Sequence, residues 1–295
     1  MCIYNMITER TPIQKGWGGD EKIRITTSDN QTYLLRLSPV DRLERKTKEF
    51  ENMRKVAQLG IPMCQPLEFG TCESGVYAIH SWIDGKDAED VIVTMSPADQ
   101  YRYGLQAGQI LAKIHTIPAP GDTTDWAVRF NTKIDRKIAL YESCPLKHEG
   151  GDAFLNYLAQ HRHLLKDRPQ CYQHGDYHIG NMMIDRSGRL TVIDFDRDDY
   201  GDPWEEFNRI VWCAQAAPAF ASGMVDGYFN RNVPVEFWQL LALYISANTL
   251  SALPWAIPFG EKEIQVMRHQ AAQVLDWYDN MNNVVPKWYI LPNLP

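Results

Sequence analysis

The stretch HGDYHIGN at residues 174–181, together with IDF at residues 193–195, decides the fold of this chain. Asn181 follows Asp176 by five residues, and Asp194 follows Asn181 by thirteen. Each of these residues taken alone is most often a turn or cap former. The spacing is therefore the signal, because it distributes three oxygen-bearing side chains around one short segment.

A β-hairpin is predicted inside this segment. Met182–Ile184 and Leu190–Ile193 are apolar runs typical of strands, and Asp185–Arg189 between them has the composition of a turn. The first strand starts directly after Asn181, and the second ends directly before Asp194. We therefore expect the hairpin to bring both side chains to the cavity that the preceding loop also faces.

Phosphoryl transfer requires these residue types. Transfer of a γ-phosphoryl group needs a carboxylate that orients and deprotonates the attacking hydroxyl, and further oxygen ligands that hold Mg²⁺ against the phosphates. Asp176 is the candidate catalytic base. Asn181 and Asp194 are the candidate metal ligands.

The motifs resemble those of the aminoglycoside phosphotransferase family, protein-kinase-like enzymes that phosphorylate small molecules. Residues 174–181 are similar to the family's His-Gly-Asp-x-His-x-x-Asn catalytic loop, and residues 193–195 to its metal-binding strand. Gly-Asp-Pro at residues 201–203, with Glu206, resembles its Gly-Asp-Pro-x-x-Asp element, with Glu in the last place. The resemblance implies structural support of the site by His174, His178 and Asp202.

The first eighty residues predict strands and one helix. Ile23–Thr27 and Thr32–Leu37 are β-branched and aromatic runs joined by turn residues. Asp41–Leu59 has an amphipathic helical pattern, and Gly75–Ile83 is an apolar strand. The pattern indicates a strand-rich N-terminal region.

The resemblance implies a nucleotide site in this region, where Glu49 on the helix pairs with a strand cation and the pair fixes the phosphates. Arg36 stands where the family usually has lysine. Arginine is a planar fork that can pair with a carboxylate and with phosphate oxygens, so Arg36 can still bind the phosphates. Because its side chain is longer than that of lysine, we expect it to shift the position of the nucleotide. Lys22 or Lys15 is a candidate auxiliary phosphate ligand. The glycine-rich run at residues 16–20 is a weak match to a nucleotide-covering loop.

The fold expected from this resemblance is a protein-kinase-like, two-lobed α+β fold. Residues 1–84 form a strand-rich N-lobe that binds the nucleotide, and residues 85–295 form a helical C-lobe with the catalytic loop and the substrate pocket. Ser81 and Ile83 lie at the implied hinge, where their backbone groups contact adenine. The expected cofactors are Mg²⁺ and ATP or GTP as phosphoryl donor.

Composition narrows the partners and the compartment. The chain has 295 residues and a formal net charge of −7, which argues against nucleic acid as the main partner. The N-terminus lacks the pattern of a signal peptide, and the six cysteines form no Cys-x-x-Cys pair. The uncharged stretch Leu240–Phe259 contains polar residues and prolines, which predicts a buried helix ending near Pro254 rather than a membrane span. We therefore expect a cytoplasmic protein without a membrane or obligatory protein partner.

The acceptor is expected to be a small molecule. Only seven residues separate Asp194 from Asp202, which leaves no room for the activation segment on which protein kinases dock a peptide. Residues 81–295 contain 19 Lys and Arg against 27 Asp and Glu, which favours a cationic acceptor. Solvated or helix-capping acids explain this excess equally well. The candidate substrate-binding acids are Asp198, Asp199, Glu205 and Glu206.

Three functions are open at this point. Choline and ethanolamine kinases typically resemble His-Asn-Asp where this chain has His-Gly-Asp, which favours an aminoglycoside-like or related antibiotic as acceptor. A choline, ethanolamine or other metabolite kinase is the first alternative. The second is a catalytically idle, nucleotide-binding pseudokinase, which only Arg36 favours.

Overall fold

The computed structural model describes residues 2–14 and 19–290. Contacts divide the chain into two compact units, Met1–Val91 with Gly180–Asp198 and Ile92–Ile179 with Asp199–Pro295. We call the first the strand unit and the second the helical unit. This division differs from the single boundary expected at residue 84, because the predicted hairpin packs with the N-terminal strands. Lys15 and most of the glycine-rich run lie outside the described residues.

The strand unit is built on a five-stranded antiparallel sheet in the order β1-β2-β3-β5-β4. The strands are β1 (Ile7–Ile13), β2 (Glu21–Thr27), β3 (Thr32–Ser38), β4 (Pro66–Cys72) and β5 (Gly75–Ser81). Alternating residues of β2 and β3 share one face, where Ile23, Ile25 and Leu35 form part of a buried core. The predicted β2–β3 hairpin is formed, with Asn30 left-handed (φ 63°) at its turn.

Helix α1 (Leu43–Ala57) follows β3. It buries Phe50 and Met53 on one face, as the amphipathic pattern predicts. The helix is shorter than the predicted span of residues 41–59. Gly60 adopts a left-handed conformation (φ 66°) just after it, which is the conformation that ends many helices.

A second, three-stranded sheet in the order β6-β8-β9 carries the predicted second hairpin. Its strands are β6 (Gly85–Asp87), β8 (Met182–Asp185) and β9 (Leu190–Val192). Met182 pairs with Val192, and the Ile193 N–H donates to the carbonyl oxygen of Asn181 at 3.0 Å. Asn181 therefore lies beside the residue that precedes Asp194, as the hairpin prediction requires.

The helical unit follows the short helix α2 (Ala88–Ile92) in the chain. Its helices are α3 (Pro97–Ile114), α4 (Trp126–Ser143), α5 (Gly151–His161), α6 (Ile210–Ala216), α7 (Pro218–Phe229), α8 (Val235–Ala256) and α9 (Glu261–Trp277). A two-stranded sheet pairs β7 (Cys171–Gln173) with β10 (Asp199–Gly201). Aromatic side chains such as Phe207 and Phe237 are fully buried between the helices, so most aromatics of this region are core residues.

Helices α3 and α7 pack through four glycines. A Cβ atom at Gly104 or Gly108 would overlap backbone carbonyl oxygens of α7, and one at Gly223 or Gly227 would overlap those of α3. Since the glycines leave no side chain between the helices, the two backbones are in direct contact. We call this contact the glycine seam.

Helix α8 runs two residues beyond Pro254 instead of ending there. Pro254 lies in the last turn, where its missing N–H removes a single hydrogen bond. By length and composition α8 and the residues up to Phe259 are apolar enough to cross a membrane, but 67 % of the apolar window is buried. This burial is typical of a core helix in a soluble protein.

Candidate functional site

Asp194 occupies a strained position at the exit of the β8–β9 hairpin. Its φ of 67° lies in the left-handed region, which costs a non-glycine residue about 1–3 kcal/mol and occurs most often at functional sites. Its carboxylate accepts hydrogen bonds from Arg36 Nη1 at 2.7 Å and from Lys22 Nζ at 3.0 Å. Burial raises the pKa of Asp194, but Arg36 and Lys22 lower it further, so the pKa lies below its usual value and the side chain is ionised.

Arg36 is bound by three carboxylates. Besides Asp194, its guanidinium contacts Asp196 at 2.7 Å and Asp20 at 3.1 Å, and the side chain is 8 % exposed. Burial alone would lower the pKa of Arg36, but the three carboxylates raise it more, so the guanidinium stays charged. A rigid cation is thus fixed at the position of the expected lysine.

The predicted Arg36–Glu49 pair is wrong for this structure. Glu49 is instead bound by Arg45 at 2.6 Å and Lys46 at 2.7 Å, both on α1 itself. The long arginine on β3 reaches the carboxylates around Asp194, while the cations of α1 neutralise Glu49 locally. Lys46 also contacts Asp20 at 2.8 Å, so Asp20 bridges Lys46 and Arg36.

Lys22 shares a face of the sheet with Arg36. The two residues are direct partners in the β2–β3 register, so both side chains project from the same side of the sheet. Lys22 contacts only one carboxylate among the described residues, that of Asp194. Of the two cations, Lys22 is the one less occupied by protein carboxylates.

The donors Asn181 and Asp194 suit Mg²⁺. Among residues 2–14 and 19–290, no group of three or more His, Cys, Asp or Glu side chains is arranged to hold a metal ion. Mg²⁺ usually needs no such cage, because one or two carboxylates and the substrate phosphates suffice. The ionised carboxylate of Asp194 and the amide oxygen of Asn181 flank the open end of one hairpin, and they match that requirement.

The expected hinge residues lie at the end of β5. The Ser81 N–H donates to the Gln65 carbonyl oxygen at 2.9 Å, and the Ser81 hydroxyl accepts from the Gln65 N–H at 2.8 Å. Ser81 is therefore held firmly in place. Ile83 follows two residues later, and contact of either residue with adenine stays a prediction.

Asp176 belongs to the helical unit, where the catalytic loop follows β7. Its Oδ1 lies 3.2 Å from Arg209 Nε and 3.8 Å from His178 Nε2. The Asp176 N–H donates to Nδ1 of the fully buried His174 at 3.3 Å. These contacts place both histidines and the cation of Arg209 beside the candidate base, and the supporting role of the histidines stays a prediction.

Glu206 fixes the turn of the same loop. Gly175 has a φ of 83° and donates its N–H to Glu206 Oε1 at 2.9 Å. Glu206 is 2 % exposed. This buried glutamate is a structural anchor and does not face a substrate.

Asp202 is the most enclosed of the predicted site residues. It is 0 % exposed, and its carboxylate accepts from Arg168 Nε at 2.7 Å and Nη2 at 3.0 Å. The Tyr244 hydroxyl and the Trp204 N–H add hydrogen bonds of 2.5 and 2.9 Å. The geometry supports the structural role predicted for Asp202.

The remaining acids also have protein partners. Asp198 accepts from Asn52 at 2.8 Å, and Asp199 pairs with Arg129 at 2.9 Å. Glu205 pairs with Lys133 at 3.0 Å; burial raises the pKa of Glu205, and Lys133 lowers it below its usual value. With Glu206, all four candidate acceptor-binding acids hold other parts of the protein. They are neither simply solvated nor only helix caps, and a role for them in acceptor binding stays a prediction.

A model described as the phosphotransferase enzyme family matches residues 9–238, well over half of the chain. This chain belongs to the phosphotransferase family. No curated protein matches it. The family assignment confirms the resemblance seen in the motifs and makes the chain a phosphotransferase.

Solved structures confirm the fold of this phosphotransferase. Aminoglycoside phosphotransferase APH(4)-Ia, in a ternary complex with ADP and hygromycin B, is 17 % identical with a TM-score of 0.64, covering 92 % of this chain and 96 % of that chain. The GDP complex of an aminoglycoside 2'-phosphotransferase-IIIa mutant is 12 % identical with a TM-score of 0.65, covering 94 % of each chain. Amicoumacin kinase hAmiN, with AMP-PNP, Ca²⁺ and Ami, is 14 % identical with a TM-score of 0.64, covering 96 % of this chain and 90 % of that chain. The phosphotransferase thus has the predicted kinase-like α+β fold.

Sequence reasoning missed four residues at these sites: Asp20, Lys46, Asp196 and Arg209. Asp20 is the last residue of the glycine-rich run and Asp196 directly follows the IDF motif, so their position in the sequence was a usable signal. Lys46 lies one helical turn before Glu49, which is the spacing of a local ion pair. Arg209 carried no comparable signal, because only the tertiary fold brings it to Asp176.

Proposed function

We propose that this phosphotransferase transfers the γ-phosphoryl group of ATP or GTP to a hydroxyl group of a small molecule in a Mg²⁺-dependent reaction. The observation that carries the proposal is Asp194: an ionised carboxylate, held in a strained conformation, opposite Asn181 in one hairpin. Six free cysteines fit a reducing compartment, so the cytoplasm is the proposed location.

The strand unit supplies the phosphate and metal ligands in this proposal. Asn181 and Asp194 would hold Mg²⁺, which screens the negative charge that develops on the phosphates. Lys22 is the cation that turns to phosphate oxygens, because only Asp194 binds it among the described side chains. Arg36 keeps Asp194 and Asp196 in position, since its guanidinium is already bound by three carboxylates of the described residues.

The helical unit supplies the base. Asp176 orients the acceptor hydroxyl and takes its proton as the phosphoryl group is transferred. Arg209 limits the rotation of the Asp176 carboxylate through the 3.2 Å contact. His174 and Glu206 hold the backbone of the loop at Asp176 and Gly175, so the base is fixed before any substrate binds.

The acceptor is proposed to be an antibiotic-like small molecule. Support comes from the His-Gly-Asp loop and from two structural neighbours. One was solved with hygromycin B bound, and the other is described as an amicoumacin kinase. A positive charge on the acceptor stays a prediction. The four acids that suggested it are paired with other groups of the protein. The pseudokinase alternative draws on Arg36, whose three carboxylate partners are all in the strand unit.

The test combines binding and turnover. Thermal-shift titration with ATP, with and without Mg²⁺, measures nucleotide binding, and ADP release is then screened across aminoglycosides, macrolides, tuberactinomycin-like peptides, choline and homoserine. We expect Asp176→Asn to lower kcat by about 10²–10⁴-fold, the usual contribution of a general base, while the nucleotide still binds. The matched control is Asp152→Asn, an exposed acid at the start of α5.

Two outcomes contradict the proposal. Wild-type turnover in Asp176→Asn would remove this residue as the base. Nucleotide binding without ADP release for any acceptor would favour the idle scaffold.

A further inference from the structure

Three cations of the helical unit, two on α4 and one beside the catalytic loop, form a cluster linked through Glu205 and its short helix. Lys133 and Lys137 lie one turn apart on α4, and Lys133 Nζ contacts Glu205 at 3.0 Å. Glu205 begins the short 3₁₀ helix that Arg209 ends, and Arg209 lies 3.2 Å from Asp176. The cluster therefore extends from α4 to the candidate base.

Lys137 is the unusual member of this cluster. Its side chain is 8 % exposed, and its one hydrogen bond among the described residues goes to the neutral oxygen of Asn248, at 3.0 Å. No carboxylate in the described part of the chain lies within 4.0 Å of its ammonium. Asn248 is itself held by Asn208 at 3.0 Å, so it is fixed in place.

The charges of the cluster do not balance. Lys133 is paired with Glu205, and Arg209 is paired with Asp176, so three cations share two carboxylates, and Glu205 acts on Lys137 only from beyond ion-pair distance. Burial lowers the pKa of Lys137 to about 7, helped by Lys133, Arg209 and the exposed Arg136, while Glu205 opposes the shift. A buried ammonium without an anion is unfavourable, and an oxyanion brought by a ligand would relieve it.

We infer that the acceptor carries an anionic group, a carboxylate or a phosphate ester, and that Lys137 binds this group while Asp176 faces the hydroxyl. The inference rests on the proposed function for the role of Asp176. It departs from the cationic acceptor expected from composition, because the acids behind that expectation are bound by the protein, whereas Lys137 has no acidic partner.

The three cations differ in accessibility. Lys133 and Arg209 are 39 % and 28 % exposed at their side chains, and Lys137 is 8 % exposed. The inference therefore requires that the anionic group reach a cation that is more buried than its two neighbours. The same three cations repel an amine, so the cluster selects for acidic over amino-bearing forms of one acceptor.

Matched polyols test this selection. D-gluconate, D-glucitol 1-phosphate, D-glucitol and D-glucamine share one hydroxylated chain and differ only at carbon 1, and comparing the first two distinguishes a carboxylate from a phosphate. We expect kcat/KM, measured by ADP release, to be at least tenfold higher for one of the two anionic forms than for the neutral and amino forms. Lys137→Met should remove this preference mainly by raising KM, whereas Lys113→Met, on the exposed face of α3, should leave it unchanged.

Equilibrium binding separates this inference from the proposed function. Isothermal titration of the four polyols without nucleotide should show tighter binding of an anionic form to the wild type than to Lys137→Met. Binding should weaken between pH 6 and pH 8, as the ammonium loses its proton. If Lys137→Met does not fold, Lys137→Gln and the pH dependence of the wild type give the same test.

Each result is decisive for one of the two proposals. Anion binding that depends on Lys137, without ADP release, would support the anion site and contradict the proposed function. Three results would overturn the anion site: equal binding of all four polyols, tighter binding of D-glucamine, or equal binding of the anions to the wild type and to Lys137→Met. This holds even if the enzyme phosphorylates other acceptors.

Discussion

Asp194 and Asp202 lie eight residues apart in the sequence, and both bind an arginine, yet their surroundings differ in kind. Asp202 is 0 % exposed and accepts from a guanidinium, a phenol and a backbone N–H. Asp194 is 22 % exposed, has a left-handed backbone and is bound by two side-chain cations, Arg36 and Lys22. One carboxylate is enclosed and the other is accessible and strained.

The difference distinguishes a structural acid from a reactive one. A buried carboxylate with all its acceptor positions filled fixes the elements around it and has nothing left to offer a ligand. An accessible carboxylate such as Asp194, one of whose partners is a lysine with no other carboxylate among the described residues, can exchange that lysine for a metal ion. Saturation of hydrogen bonds and backbone strain therefore tell the two roles apart better than burial alone.

The largest effect is expected for Asp194→Asn. Loss of the metal-binding carboxylate should remove several kcal/mol of transition-state stabilisation and lower kcat by about 10⁴-fold or more, since each factor of ten corresponds to about 1.4 kcal/mol. Steady-state ADP release measures this loss. The melting temperature should fall, because the variant loses the charge-assisted bonds to Arg36 and Lys22, although asparagine tolerates the left-handed backbone. Substantial activity in Asp194→Asn would show that the comparison assigns the reactive role to the wrong acid.

Asp202→Asn should act mainly on stability. Breaking the buried pair with Arg168 should lower the free energy of unfolding by about 3–5 kcal/mol, measured by urea denaturation. The folded fraction should still bind ATP in a thermal-shift assay. An unchanged free energy of unfolding with complete loss of kcat would reverse the roles assigned to the two acids.

A pH titration tests the charged surroundings of Asp194 from another side. Burial, together with the nearby Arg36, lowers the pKa of His80 to about 3. In the unfolded chain His80 binds a proton near pH 6.5, whereas in the folded protein it stays neutral until about pH 3. The free energy of unfolding therefore falls as the pH decreases from about 6.5 towards 3. At pH 5 the loss should be about 2 kcal/mol, and His80→Leu should abolish it.

The control for this titration is His163→Gln, which alters an exposed histidine. Urea denaturation at pH 7 and pH 5 gives the comparison. A wild type and a His80→Leu variant with the same pH dependence would place the acid-sensitive group elsewhere.

The smallest effect is expected for Arg36→Lys. A lysine keeps the charge but loses the fork that binds Asp194 and Asp196 together, so we expect kcat/KM to fall by about tenfold, the equivalent of one charge-assisted hydrogen bond. Activity should stay measurable. Complete loss of turnover would show that the arginine has a role that a point charge cannot fill.

Much of the fold follows from local sequence chemistry. The hairpin between Asn181 and Asp194 and the amphipathic helix α1 were predicted because turn residues and apolar periodicity act over short distances. The end of α8 was placed too early because a proline in a last turn is less disruptive than one in a helix interior. A division into two parts was expected, but its course along the chain could not be read from composition, since the strand unit takes in residues 180–198 from the middle of the chain.

The candidate site was less predictable than the fold. Motif spacing located Asp176, Asn181 and Asp194, but the partners of Arg36 depend on how far an arginine reaches across a packed unit. The excess of acids near Glu205 suggested a cation site, whereas tertiary contacts supply each of them with a protein partner. Net charge therefore describes a surface but does not identify which charges a ligand meets.

The glycine seam between α3 and α7 bears on any effort to thermostabilise this protein. Replacing helical glycines by alanine ordinarily gains about 0.4–1 kcal/mol by restricting the unfolded chain. At Gly104, Gly108, Gly223 and Gly227 that rule is inverted, because even one methyl group would collide with the opposite backbone. Mutant libraries should hold these four codons constant and seek their gains on the outward faces of the two helices.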